Sequence, residues 1–339
     1  MILKEMGKIF MKTMKEIAKM AGVSQSTVSR VINNNPNVNP EIKRKVLEYI
    51  RKYNYQPNRT ARSLVKNKSF LIGIVLPELT NPYFPEILES LEEEANYYNY
   101  NIVLSISYGS LQREKEQIEM LLSRRVDGLI INPTDLSHVE HIIKIKSIIP
   151  TVICAQDLDG FDYVTVDHYL AGKIVAKYLI NKGHISIGYI GYLKDKKLKG
   201  FHEEIIANNL NFNEGNYLMA PEEISDFKKS SEKKLLTKII ENNITAVYTI
   251  NDIIATKVIN ILIKNKMKVP DDIAVVGFDN TIICNLTNPP LTSIAQPTRE
   301  IGRKSVDILV KKIEKTDSHT EYNLDQIFLP PRLVIRKST

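Results

Sequence analysis

Residues 13–33 read TMKEIAKMAGVSQSTVSRVIN, which has the spacing of two short helices joined by a tight turn. Ala18 is small enough to let two helices cross closely, and Gly22 can adopt the positive φ that the turn needs. Val28 then offers an apolar contact that holds the second helix against the first. The pattern predicts a helix-turn-helix, although an ordinary amphipathic helical hairpin has similar spacing.

The second helix of this pair is predicted to carry a polar face suited to DNA. Ser24 is placed to cap the helix. The exposed positions near the helix start, where base edges would be read, belong to Gln25, Ser26 and Arg30. A helix of this kind fits the major groove of DNA. Its hydrogen-bonding side chains are Gln25, Ser26, Thr27, Ser29 and Arg30.

Charge is distributed unevenly along the chain. Residues 1–68 hold 15 of the 46 basic and 4 of the 39 acidic side chains, a net charge of +11, so the rest of the chain carries −4. A basic head on a mildly acidic body is typical of a phosphate-binding module joined to a sensor. A solvated basic tail would lack an organised apolar pattern, whereas this segment has one in Ile17, Val23, Val28, Val31, Val46, Leu47 and Ile50.

A third helix is predicted to begin at Asn39, which can cap it, with Pro40 in its first turn. Its apolar stripe would brace the first two helices, and Tyr55 and Pro57 are expected to end it. Residues 13–57 are therefore assigned to a three-helix head.

The segment 58–68, NRTARSLVKNK, is predicted to be a hinge helix. It is too short to be a stable helix alone in water, but phosphate contacts could order it on DNA. Ala61 and Leu64 are the apolar DNA-contact candidates of this segment, and Leu64 could then enter a step of the minor groove and bend the duplex. A plain linker is the alternative, because composition alone does not separate the two.

Length and composition limit the remaining possibilities. Two or three domains fit 339 residues. No run of about 18 apolar residues is present to span a membrane, and no signal peptide is recognisable, so a cytoplasmic protein is expected. Residues 1–12 lie outside the helix-turn-helix pattern and are expected to be a disordered extension. Cys154 and Cys284 lie in apolar, strand-like contexts and are expected to be reduced and buried.

Residues 69–339 are predicted to form an α/β body. Apolar strands such as FLIGIVLPEL (70–79) and AVVGF (274–278) alternate with helical segments. This alternation is typical of parallel sheets covered by helices on both faces. Two such sheets would make two doubly wound lobes. Ligands of these folds bind at the carboxyl ends of the strands, here in the cleft between the lobes.

Polar and aromatic residues follow several predicted strands directly. Their carboxylates, amides and aromatic faces suit a polyhydroxylated or heteroaromatic ligand. Simpler roles stay open, since Asn81 could form a turn with Pro82 and Asp279 could brace a loop. The candidates are Asn81, Tyr83, Phe84, Asn132, Asp157, Lys197, Asn251, Asp252, Asp279 and Asn280.

Further motifs occur along the chain in a fixed order, among them YQPNRTARSLV (55–65), GIVLPELTNPYFPEIL, KGHISIGYIG, VPDDIAVVGFDN and PPLTSIAQP. Together with the head stretch they resemble the LacI/GalR family of bacterial transcription regulators over roughly residues 13–339. The resemblance implies a homodimeric repressor of carbohydrate or catabolite genes whose heads bind a palindromic operator. It also implies a periplasmic-binding-protein-like body that binds a small effector or a partner protein.

Matching positions carry implied roles for single residues. Phe84 would stack on the ligand and Asp279 would hydrogen-bond it. The implied effector set is Asn81, Tyr83, Phe84, Lys197, Asn251 and Asp279. The implied phosphate contacts are Thr13, Ser24, Thr27, Asn33, Asn58 and Arg59.

The chain departs from the sugar-binding members of this family at two places. Lys197 stands where they usually have arginine, and an ammonium cannot copy the planar guanidinium fork. Ala155 and Gln156 stand where many members read Asp-Arg. Both changes weaken the case for a tightly bound simple sugar. The runs KKLKGF and GFDN with Thr281, and the ending RKST, are instead similar to the catabolite control branch, whose corepressor is a phosphorylated HPr protein.

A phosphoprotein corepressor is thus an open alternative to a sugar or sugar phosphate. Its surface would be a helix with basic residues, for which Arg303, Lys304 and Lys311 are the candidates. Asp307 stands where phosphoprotein recognition favours arginine, and this argues against the same contact.

Two other classes of protein fit less well. A sugar-binding protein of the periplasmic type has the same two-lobed body, but it has no use for a basic helix-turn-helix head. An enzyme would need a nucleophile or a metal set, and neither a GxSxG motif nor a phosphate loop is present. No catalytic residue, metal or cofactor is predicted, since no metal-ligand spacing joins His138, His141, His168, His184 and His202.

Overall fold

The computed structural model describes residues 12–32, 35–53, 55, 68–220, 222–223, 229–315 and 323–339. The chain divides into two compact units, Met1–Ser69 and Phe70–Thr339. Only Lys12 of the expected extension is described, and its ammonium lies 3.5 Å from a carboxylate oxygen of Glu16. Most of the predicted hinge, 58–68, lies outside the described residues.

The first unit contains the three helices that the sequence predicts. Thr13 and Glu16 form a capping box at the first of them, with the Thr13 N–H donating to Glu16 over 2.7 Å. Gly22 ends that helix at φ +69°, which confirms the predicted turn. Asn39 caps the third helix as predicted, and Pro40 is its first residue. The helices are α1 (Met14–Ala21), α2 (Gln25–Ile32) and α3 (Pro40–Lys52).

A small apolar core holds these helices together. Ile17, Val28 and Val46 are fully buried, and each comes from a different helix. Val23, Leu47 and Ile50 pack around them and stay partly exposed. Because the buried side chains follow the helical period, the polar faces of α1 and α2 remain in solvent.

The second unit contains two six-stranded sheets. The strands are β1 (Leu71–Leu76), β2 (Asn101–Ile106), β3 (Gly128–Ile131), β4 (Thr151–Cys154), β5 (Asp162–Val166), β6 (Ile187–Ile190), β7 (Tyr217–Met219), β8 (Ala246–Thr249), β9 (Ala274–Asp279), β10 (Thr292–Ala295), β11 (Gln326–Leu329) and β12 (Arg332–Val334). The first sheet has the order β11-β5-β4-β3-β1-β2 and is parallel, and the second has the order β12-β10-β9-β8-β6-β7. In the second sheet only β12 runs antiparallel to its neighbour. The predicted pair of doubly wound lobes is confirmed.

Helices cover these sheets between the strands. They are α4 (Tyr83–Tyr97), α5 (Leu111–Ser123), α6 (Glu140–Lys146), α7 (His168–Asn181), α8 (Lys196–Ala207), α9 (Lys229–Glu241), α10 (Asp252–Lys264), α11 (Ile283–Leu286) and α12 (Thr298–Lys315). None of the helices in the described ranges is long and apolar enough to cross a membrane.

Two details differ from the sequence-based expectation. The helix expected after Gly172 begins earlier, at His168, because the Asp167 side chain caps it by accepting from the N–H of Leu170 at 2.8 Å. Cys284 lies in the short helix α11 and not in a strand. Cys154 does lie in a strand, and both thiols are free and buried as expected.

The chain passes between the lobes three times. It crosses from β5 to α7, returns from β10 to α12, and crosses again from β11 to β12. Helix α12 therefore belongs to the first lobe, where it packs on α4 and the Ser90 hydroxyl donates to the Arg299 carbonyl at 2.7 Å. Residues at the crossings, such as Gln296, lie between the two sheets.

A close crossing of α7 and α8 positions the start of α8. A Cβ on Gly172 would lie 1.9 Å from the carbonyl oxygen of Lys197, and one on Gly200 would lie 2.0 Å from that of Tyr169. The two glycines thus allow the helix backbones to touch. The position of Lys197 in the cleft depends on this contact.

Candidate functional sites

The polar face of α2 is built as the sequence predicts. The Ser24 hydroxyl accepts from the N–H of Thr27 at 3.1 Å, which confirms the cap. Gln25, Ser26 and Arg30 are exposed, while Val28 lies fully buried on the opposite side. The helix contains no acidic residue, so its positive amino end faces solvent without a competing carboxylate.

The other DNA-contact candidates divide into described and undescribed residues. Thr13 is exposed, and its hydroxyl is held in the capping box of α1. Thr27 and Ser29 are partly exposed. The candidates outside the described residues are Asn33, Asn58, Arg59, Ala61 and Leu64.

In the body, a chain of polar contacts around Asp279 joins the two lobes. Asn81, which follows β1, donates from its amide to Asp279 at 3.1 Å. Gln296 donates to the second carboxylate oxygen of Asp279 at 2.8 Å, and the Tyr83 hydroxyl donates to Gln296 at 2.9 Å. All four side chains are buried. The structure therefore brings Asn81, Tyr83 and Asp279 together, as expected from their places after the strands.

Gln296 was not among the sequence candidates. The strand-end rule could have predicted it, because this polar residue directly follows the buried strand β10. It also precedes Pro297 at a crossing between the lobes. Phe84 remains beside the contact chain, with its ring edge-on to Tyr83 at 5.3 Å between centroids.

The backbone at Asp279 is unusual and is held by Asp252. Asp279 and Asn280 have φ values of +108° and +56°, in a region that non-glycine residues rarely adopt. The fully buried Asp252 carboxylate accepts from the N–H of Thr281 at 2.7 Å and from the Ser293 hydroxyl at 2.6 Å. Asp252 thus fixes the turn that presents Asp279.

The electrostatic environment of Asp279 disfavours its charged form. Burial raises the pKa of this carboxyl to about 8, and the negative charge of Asp252 acts in the same direction. The positive charge of Lys197 and the amides of Asn81 and Gln296 oppose this shift in the pKa. A ligand hydroxyl that donates a hydrogen bond to Asp279 would lower the pKa of this carboxyl, as those amides do.

Lys197 has its charge compensated within the second lobe. Its ammonium donates to the Ile250 carbonyl at 3.1 Å, lies 3.3 Å from Asp195, and lies 3.9 Å from the ring centroid of Phe278. The neighbouring Lys196 pairs with Asp157, which follows β4, so this ion pair also spans the two lobes.

Three further candidates serve the local structure. Asn251 caps α10 by accepting from the N–H of Ile254 at 2.9 Å. The Asn132 amide donates to the Cys154 carbonyl at 2.8 Å, and Asn280 accepts from Arg336 at 2.7 Å. Within the described ranges, no group of three His, Cys, Asp or Glu side chains is arranged to hold a metal ion.

Comparison with known proteins matches both units. The family described as bacterial regulatory proteins, lacI family, matches residues 13–58, and a periplasmic binding protein-like domain matches residues 176–339. The catabolite control protein A of Priestia megaterium is 32% identical over 336 residues, covering 96% of this chain and 99% of that protein. This chain belongs to the lacI family of bacterial regulatory proteins.

Other lacI-family proteins show the same similarity. The ribose operon repressor of Escherichia coli (strain K12) is 34% identical over 313 residues, covering 89% of this chain and 93% of the repressor. A solved structure of the lac repressor dimer bound to operator and an anti-inducer superposes with a TM-score of 0.79 at 27% identity, covering 96% of this chain and 98% of that chain. As a member of the family, the protein is a DNA-binding transcriptional regulator, and the exposed face of α2 belongs to its helix-turn-helix.

Proposed function

We propose that this regulator is a cytoplasmic, homodimeric repressor of carbohydrate-utilisation genes whose cleft binds a small uncharged sugar. The observation that carries this proposal is the chain of contacts from Tyr83 through Gln296 and Asp279 to Asn81, which links the lobes. A polyhydroxylated ligand could replace these contacts one by one. Its binding would then change how the lobes are held together.

Charge compensation in the cleft favours a sugar over a sugar phosphate. Lys196 is paired with Asp157, and Lys197 is paired with Asp195. A phosphate would have to displace one of these aspartates, because the nearby lysines already have carboxylate partners. A neutral sugar needs hydrogen-bonding groups and no extra cation.

The phosphoprotein alternative has weaker support. Arg303 and Lys311 are exposed on α12, and Lys304 is partly exposed. Asp307 lies on the same helix face as Arg303 and Lys311 and accepts from the Tyr98 hydroxyl at 2.9 Å. Asp307 also helps to raise the pKa of Glu94, after burial as the main cause. Two carboxyls so close would repel a phosphorylated partner.

A homodimer follows from the way single helix-turn-helix units read DNA. One recognition helix contacts a half-site, and a second copy supplies the other half. The lac repressor at 27% identity was solved as an operator-bound dimer. The division into 13–57, 58–68 and 69–339, and the minor-groove role of Leu64, remain part of this proposal.

Sugar control of operator binding is testable on the full chain. We expect a sugar from a panel of neutral pentoses and hexoses to raise the unfolding free energy by about 2.7 kcal/mol at a hundredfold excess over its Kd. The same sugar should change affinity for DNA upstream of the protein's own gene, measured by fluorescence anisotropy. Asp279→Asn should lose the sugar stabilisation, and Asp271→Asn, an exposed control in the same lobe, should keep it. If no sugar of the panel changes either the unfolding free energy or the affinity for DNA, the proposal is contradicted.

Base reading by α2 gives a separate prediction. Gln25→Ala and Ser26→Ala should each change the preferred operator, because a good base contact contributes about 1–3 kcal/mol of discrimination. Operator selection with sequencing measures this, with the exposed Glu48→Ala in α3 as control. If both variants select the wild-type operator, these side chains do not read bases.

A further inference from the structure

The imidazole of His168 lies against Phe278, the residue that precedes Asp279. It belongs to the first residue of α7, directly after the crossing from the first lobe. Its ring stacks on Phe278 at 5.6 Å between centroids and 24° between planes. Phe278 immediately precedes Asp279 and also carries the Lys197 ammonium against its ring. His168 and Lys197 therefore share one aromatic support, the Phe278 ring, next to Asp279.

The nitrogens of His168 are open to a ligand. The side chain is partly exposed, and within the described part of the chain neither ring nitrogen has a hydrogen-bond partner. Three other histidines differ in this respect, since His138 bonds Asp135, His141 bonds Glu114 and His184 bonds Thr245. A polar group that lines a crevice without a protein partner is a natural contact for a polar ligand.

The charge state of His168 suits a neutral ligand. Burial lowers the pKa of the imidazole to about 4, and the positive charge of Lys197 contributes. Near neutral pH the ring thus has one N–H donor and one lone pair. A sugar hydroxyl, which both donates and accepts, can use either nitrogen.

Lys197 acts electrostatically on both His168 and Asp279. Its charge lowers the pKa of both groups, so both lie inside its electrostatic range. Its ammonium lies against the Phe278 ring and donates to the Ile250 carbonyl. The stacking of His168 on Phe278, the residue before Asp279, is the geometric link between the imidazole and that carboxyl.

We propose that His168 is a specificity-determining residue of the cleft, which hydrogen-bonds one hydroxyl of an uncharged sugar while other hydroxyls reach Asp279 and Asn81. The proposal rests on the sugar function of the cleft. It adds a residue that neither the strand-end pattern nor the match to sugar-binding relatives assigned to the ligand.

Substitutions at His168 separate hydrogen bonding from ring packing. His168→Phe keeps an aromatic ring on Phe278 but has no nitrogen, and His168→Asn restores a polar group near the Nδ1 position. Titration calorimetry on the full chain would use D-ribose, D-xylose, D-glucose and D-galactose, followed by monodeoxy analogues of the one that binds. Heat unfolding of each variant would show that it is folded.

We expect His168→Phe to weaken sugar binding at least tenfold and His168→Asn to keep it within threefold. One monodeoxy analogue should bind the wild type tenfold more weakly than the parent sugar. On His168→Phe, the analogue and the parent sugar should bind with equal affinity. A folded His168→Phe protein that binds the parent sugar within twofold of wild type overturns the role of His168 and leaves the sugar function intact. If none of the four sugars binds the wild type, the sugar function itself is overturned, and the role of His168 falls with it.

Discussion

Gly172→Ala should destabilise the body by about 3 kcal/mol, although a glycine-to-alanine change inside a helix usually stabilises by up to about 1 kcal/mol. The added methyl would lie 1.9 Å from the Lys197 carbonyl oxygen and 2.7 Å from the Phe201 nitrogen. Both atoms belong to backbone of α8, so no side chain can rotate away. Helix α8 would have to move, and Lys197 would move with it.

Chemical or thermal unfolding followed by circular dichroism measures this effect. For a unit of this size, about 3 kcal/mol corresponds to a fall in Tm of roughly 6–12 °C. Lys177→Ala in the same helix α7 is the matched control, because Lys177 is exposed. Gly200→Ala should reproduce the loss from the other side of the crossing, since its Cβ would lie 2.0 Å from the Tyr169 carbonyl oxygen. A Gly172→Ala protein as stable as wild type would show that the helices can separate at little cost.

Asp252→Ala should cost about 3 kcal/mol or more of unfolding free energy, because it leaves buried donors without an acceptor. The Thr281 N–H and hydroxyl and the Ser293 hydroxyl all donate to this carboxylate, at 2.7, 3.1 and 2.6 Å. Burial raises the pKa of Asp252, and these same hydrogen bonds oppose the shift. Without the carboxylate, the left-handed turn at Asp279 loses its support.

The measurement pairs stability with sugar binding. Asp252→Asn keeps the size of the side chain but turns an amide N–H₂ toward donors, so it should also destabilise the body. Asp271→Ala, an exposed aspartate of the same lobe, should stay within about 0.5 kcal/mol of wild type. We expect sugar binding to weaken in both Asp252 variants more than the loss of folded protein explains. Unchanged stability and unchanged sugar affinity would show that Asp252 does not brace the turn.

The elements that could be predicted depend on neighbours in the sequence. Ser24, Asn39 and Gly22 act within a few residues of their own positions, so their caps and turn were readable directly. The alternation of apolar strands with helices was equally local and indicated two parallel sheets. The rule that ligands lie at strand ends then brought Asn81, Tyr83 and Asp279 to one place.

Other parts of the site depended on contacts between distant residues. Gln296 contacts a tyrosine 213 positions away, and Asp252 binds Ser293 across 41 positions. The strand-end rule placed Asp252 in the pocket, but the fold uses it as a brace. The position of His168 on Phe278 could not be predicted from the sequence, because it follows from the meeting of α7 with β9.

The sequence alone determined that this protein is a lacI-family regulator with a helix-turn-helix head and a two-lobed body, because short-range spacing encodes caps, turns and strands. Only the tertiary structure decided which polar residues meet in the cleft and which charges are already compensated there. Asn81 and Asp279 are 198 positions apart, and Lys196 and Asp157 belong to different lobes. Such pairs form where segments that follow strands of the two sheets face each other, and the spacing of neighbouring residues does not show which distant residues will meet there.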